Sequence, residues 1–133
     1  MPTFTNPAAD ADEVQEALRA LAHATRAIDD PQQIYSVLGS LTSAVASMSQ
    51  SLHQIASFHD DGPRSEWVPE ASAKARSASY RVSWDLHRAG EMIRQVGAVI
   101  ASAHEAEAIL AYHREFPEHS RSTTPSADHR IGL

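Results

Sequence analysis

Between Gln32 and His59 the chain carries no aspartate, glutamate, lysine or arginine, and this charge-free run most constrains the fold. Inside it Ile34, Leu38, Leu41, Val45, Met48, Leu52 and Ile55 recur in alternating steps of four and three. That rhythm keeps apolar side chains on one stripe of a helix and would scatter them over both faces of a strand. A long helix with such a stripe needs neighbours packed at a shallow angle.

Neighbours are legible on both sides. Val14, Leu18, Leu21, Thr25 and Ile28 keep the same spacing and predict a first helix from Pro7 or Asp10 to Ile28. Asp10, Asp12, Glu13 and Glu16 crowd its first turns, where the helix dipole favours anions. In the junction Asp29-Asp30-Pro31-Gln32-Gln33, Asp30 suits a cap, Pro31 the first helical position and Gln33 a capping-box partner. Asp60-Asp61-Gly62-Pro63 closes the second helix. A third helix is predicted from Ser65 or Pro69 to Glu115, ahead of Pro117. Its seam runs through Ala71, Ala75, Ala78 and Val82. After a four-residue stutter it continues through Leu86, Ala89, Ile93, Val96, Ile100 and Ala103. Gly90 and Gly97 lie inside it, each costing about 1 kcal/mol relative to alanine.

The expected fold is all-α: an antiparallel three-helix bundle, up-down-up, with an extended third helix and helices near 10–29, 31–59 and 66–115. Residues 1–9 read as a flexible N-terminus, 10–116 as a single helical-bundle domain and 117–133 as a disordered polar tail.

Two features point to association. A second heptad stripe (Ser36, Ser40, Ser43, Ser47, Gln50, Gln54, Ser57) runs two residues off the apolar seam. Two residues are about 200° of rotation, so this stripe faces away from the first. Small uncharged residues there suit a second packing face; the plainer reading is a wet serine-rich surface. Helix lengths give the other feature. At 1.5 Å per residue the second helix is roughly 43 Å long and the third roughly 70 Å. A tight turn between them leaves the third helix overhanging from Val99, with Val99, Ile100, Ile109, Leu110, Tyr112 and Phe116 uncovered. Apolar surface in water costs roughly 25 cal/mol per Å². The expected solution is a homo-oligomer, in the first place a dimer of antiparallel long helices.

Composition removes many chemistries. There is no cysteine, hence no disulfide, thiolate metal site or cysteine nucleophile. A net charge of -6 argues against nucleic acid as a general partner. The N-terminal residues lack a basic, apolar leader pattern, and no run approaches the roughly 18 apolar residues of a membrane span. The expected location is therefore the cytoplasm, with no membrane partner. Lys74 is the sole lysine among 11 basic residues, and with abundant alanine this arginine bias suggests a GC-rich bacterial genome, a phage or plasmid included.

Eight histidines are spread over all segments, but no Glu-x-x-His or His-Glu-x-x-His occurs, so no metal and no cofactor is expected. His87/Glu91 and His104/Glu107 each share a helix face and read as solvated pairs. Arg81-Val82-Ser83-Trp84-Asp85-Leu86-His87 sets an arginine and a histidine six apart. The spacing resembles the Arg-x(4–6)-His motif of the all-helical HEPN ribonucleases. That resemblance implies Arg81 and His87 as catalytic residues, although Val82 stands where the family carries a polar residue. The competing reading is an Arg81–Asp85 pair at i,i+4. Lys74, Arg81 and Arg88, with Arg76 and Arg94 nearby, form a basic stripe able to touch phosphates, yet Glu70, Asp85 and Glu91 lie within pairing reach. Trp67 is followed by Val68-Pro69 and lacks the glycine of the Trp-x-Gly helical hairpins. Trp67 and Trp84 read as anchors at the bundle end and seam.

The function expected from sequence is non-catalytic: a self-associating helical interaction or accessory protein, with a bacterial mobile element as a source. The alternatives are a HEPN-like ribonuclease or toxin-antitoxin component, and an acidic bundle binding nucleic acid through its local basic stripe.

Overall fold

In the computed structural model, residues 1–60 and 72–113 are described. They form three helices, α1 (Pro7–Ala24), α2 (Gln33–Asp60) and α3 (Ala73–Glu107), and no strand. The chain is all-α, and the packing that organises it is α2 against α3. The link carrying Trp67 and the segment carrying Phe116 lie outside the described residues.

α1 and α3 each start on a side-chain cap. Asn6 accepts from the Ala9 amide at 3.1 Å, and Pro7 opens α1 with its ring preset for helical geometry. The Asp10 carboxylate reaches back to the amides of Thr3 (2.6 Å) and Phe4 (3.1 Å), tying the N-terminal residues to the first turn. α1 ends at Ala24, four residues before the expected Ile28, with Thr25 as its C-cap. Asp30 accepts from the Gln32 amide at 3.0 Å in the turn ahead of α2, which starts at Gln33 and not at the expected Pro31. Ser72, which was not singled out in the sequence, caps α3 by accepting from the Ala75 amide at 3.0 Å.

Contacts between α2 and α3 descend one helix as they climb the other. His59 meets Ser79, His53 meets His87, Ser49 meets Gly90, Val45 meets Gly97, and Gly39 and Tyr35 meet His104. The tight turn assumed from sequence would have placed the start of α2 near residue 98. Because α3 begins at Ala73, the register is shifted by about two to three turns, and α3 ends nearly level with the start of α2. The segment from Val99 to Glu107 is therefore not an overhang. α3 also runs unbroken through both internal glycines.

Those glycines explain themselves at the contact. A Cβ on Gly90 would sit 2.7 Å from Nε2 of His53, and one on Gly97 would sit 3.1 Å from Cγ1 of Val45. The helices approach on small residues: Ser49, Ala56, Ser83 and Gly90 are buried. The expected apolar seam is turned aside by a fraction of a helical step, leaving Met48 and Ile55 44% and 52% exposed. α1 buries none of its residues. Among the described residues Ala56 is the buried hydrophobic residue, and no large side chain is fully enclosed.

Candidate functional site

Two different surfaces flank the contact line between α2 and α3. The first is polar. Nδ1 of His53 lies 2.8 Å from Nδ1 of His87, with ring centroids 5.1 Å apart, and Nε2 of His87 lies 2.8 Å from Oδ2 of Asp60. The Ser83 hydroxyl donates to the other oxygen of Asp60. Proton accounting fixes the roles. An ionised Asp60 only accepts, so His87 donates from Nε2 and, when neutral, accepts at Nδ1 from the Nδ1–H of His53. The hydrogen bonds from Ser83 first and His87 second hold the Asp60 carboxyl below its ordinary value of 3.8. Nearby, His59 and Ser79 meet at 3.1 Å, and the Ser49 hydroxyl donates to the Gly90 carbonyl at 2.8 Å. This network satisfies the polar groups that close packing brings together, and among the described residues no buried side-chain polar atom lacks a partner.

The second surface is apolar. Stepping back one residue from His53 and from His87 turns about 100° around each helix, to Leu52 and Leu86. Because contacts run in opposite senses along the two helices, both leucines fall on the same flank, opposite the histidine pair. Leu52 and Leu86 are partly buried. Met48 and Ile55 extend the flank on α2, and Val82, Ile93 and Val96 extend it on α3. Most of these stand well out of the contact line.

The residues singled out from sequence distribute as follows. Arg81 projects away from α2 and pairs with Asp85 at 3.5 Å. His87 turns inward to His53 and Asp60, so the two residues of the ribonuclease-like motif are not brought together. Lys74, Arg76, Arg81, Arg88 and Arg94 are all exposed. Arg94 donates to Glu91 from Nε, 3.1 Å from each carboxylate oxygen, and from Nη2 at 2.5 Å, and Arg88 lies over Trp84 at 5.5 Å. Glu91 is thereby held below its ordinary range and Arg94 above. Ser36, Ser40, Ser43, Ser47, Gln50 and Gln54 are exposed on the side of α2 away from α3. Ile100 is partly buried, whereas Val99 is exposed. Ile109, Leu110 and Tyr112 follow the end of α3, where the Tyr112 hydroxyl donates to Glu107. Among the described residues no three His, Asp or Glu side chains are gathered to hold a metal ion, and no helix is long and apolar enough to cross a membrane.

Sequence reasoning missed Ser49, His53, Ser83 and Asp60 as a group. Their signal was available in the glycines: Gly90 and Gly97 at heptad spacing mark a line of close approach, and the polar residues belong to that line.

No family model, curated protein or solved structure matches the chain.

Proposed function

We propose that this chain is a non-catalytic, self-associating helical protein, an interaction or accessory component. In this reading α2 and α3 form an antiparallel pair within an up-down-up bundle, the assembly is a homodimer, and the location is the bacterial cytoplasm. The observation that carries it is the scarcity of buried apolar side chains among the described residues. Folded domains of this size rest on buried apolar area, and net stabilities of about 5–15 kcal/mol leave little room for doing without it. Here the contact line is built of serine, glycine, alanine and histidine, while leucine, isoleucine, valine and methionine stand beside it. Close packing of small residues fixes register but removes little hydrocarbon from water. A partner surface supplies the rest.

The partners of the two motif residues weigh against the ribonuclease reading. Arg81 pairs with Asp85 at the surface, and both ring nitrogens of His87 are taken up by His53 and Asp60.

The test is the mass of the full-length chain by light scattering after size exclusion, over a range of loading concentrations. The expected result is a species of twice 14.5 kDa that dissociates on dilution. A single-chain mass at every concentration, with full helicity, would overturn the proposal.

A further inference from the structure

Deepening the self-association just proposed, we infer that its docking surface is the apolar flank of the α2–α3 pair, and that the occupant is the same flank of a second copy. The serine stripe and the end of α3 are then peripheral.

Size argues for this occupant. On α3 the small and apolar positions of the flank run from Ala75 to Ala103 and on α2 from Ile34 to Ile55, about 40 Å and about 30 Å of helix, each about 10 Å wide. That footprint of roughly 700 Å² approaches the roughly 800 Å² per partner of a standard stable interface. The rival cover within the chain is α1, which has only 18 residues. At about 27 Å by 10 Å it would shield little more than a third of the flank. Tethered at Gln33, it would lie over the start of α2 and leave Ile55, Val82 and Leu86 in water.

Chemistry agrees. α2 carries no aspartate, glutamate, lysine or arginine before Asp60, and Asp60 lies on the histidine side with Ser83 and His87, so α2 sets no charge on the flank against its own copy. At the outer rim of α3 Asp85 is already paired with Arg81 at 3.5 Å, and Glu107, at the far end, accepts from the Tyr112 hydroxyl. A surface that is apolar along its middle and carries charge only at its rim and end is self-complementary about a two-fold axis. Two copies joined this way make a four-helix bundle whose interior is the leucine, isoleucine, valine and methionine missing from one chain.

The test is charge placed on the flank at two positions that one chain already exposes. Met48 is 44% and Val96 48% exposed, so Met48→Glu with Val96→Glu is tolerated by an isolated chain and penalised in a dry interface. The expected result is a fall from two-chain to one-chain mass with helix content retained. Ser43→Glu with Ser47→Glu, on the opposite side of α2, is expected to leave the dimer intact. If the flank variant keeps the two-chain mass, the flank assignment is overturned while self-association stands; loss of the dimer in the serine variant alone does the same. A one-chain mass for the unaltered protein defeats both. Should the double glutamate variant lose helicity, Met48→Gln with Val96→Thr is expected to weaken dimerisation at least tenfold. An unchanged dissociation constant would then overturn the assignment.

Discussion

Ser49 and Ser83 show why this contact line is polar. Each is only 7% exposed, and each spends its hydroxyl on the facing or neighbouring helix: Ser49 on the Gly90 carbonyl, Ser83 on Asp60. A buried hydroxyl without a partner would cost about 1–3 kcal/mol, so the pairing is a condition of the close approach. Gly90 is the other condition. Gly90→Val places a branched side chain against the His53 ring and is expected to destabilise by about 1–3 kcal/mol through overpacking. Gly90→Ala is expected to fall within about 1 kcal/mol of the parent, because the ring end can swing away and alanine returns about 1 kcal/mol of helix propensity. Thermal melts of the two variants at equal concentration separate these outcomes; equal losses would show that backbone propensity, not contact, governs the site. Asp60 supplies a pH test. Its folded value is depressed, so the unfolded chain takes up the proton first as pH falls. The stabilisation is therefore present above the ordinary 3.8 and is lost as pH drops through the folded value. Ser83→Ala removes the largest cause of the depression. The Asp60 carboxyl is expected to titrate higher by NMR in that variant, and an unmoved titration would show that Ser83 does not set it.

At the scale of elements, caps and packing separate cleanly. Ser72 caps α3, which carries the whole contact with α2, whereas Asn6 caps α1, which buries nothing. Ser72→Ala is expected to lower global stability by about 1 kcal/mol. Asn6→Ala is expected to reduce the helicity of α1 by circular dichroism while leaving the main unfolding transition in place. The helices themselves were legible in the sequence. Charge-free periodicity gave α2 to within a few residues, and for the start of α1 the sequence left Pro7 and Asp10 as alternatives, of which Pro7 is the one observed. The start of α3 was not legible, because Pro69 is a stronger written signal than Ser72 and only the three-dimensional register decides between them. Apolar spacing did not give the contact line either; Gly90 and Gly97 mark it. Heptad reading finds where apolar side chains gather, but the closest approach of two helices follows the smallest residues, and here those two lines differ. Met48 and Ile55 were read as seam and lie beside it; Ser49 and Ala56, one position later, lie in it. The polar network of His53, His87 and Asp60 could not be read from spacing within any one helix, since it joins residues 34 and 27 positions apart.

For the whole molecule, the separation between α1 and the α2–α3 pair carries over into dynamics. Native amides exchange with solvent through openings whose free energy reflects what must be disrupted. α1 is held by its Asn6 and Asp10 contacts and by its own backbone bonds, with Val14 and Leu18 about half exposed. Its opening breaks little interhelical packing, so its amides are expected to exchange early and at a rate independent of protein concentration. In α2 and α3, opening must undo both the glycine-lined contact and, in the proposed dimer, the apolar interface. Mass action then makes their protection rise with concentration, as for any fold stabilised by a bound partner. Hydrogen exchange read by mass spectrometry at two concentrations a hundredfold apart compares the three helices in one experiment. Protection that climbs with concentration across α2 and α3, while α1 stays constant, is the expected pattern. Concentration-dependent protection in α1 as well would mean that the first helix also takes part in the assembly, and constant protection in all three would remove the partner from the energetics of the fold.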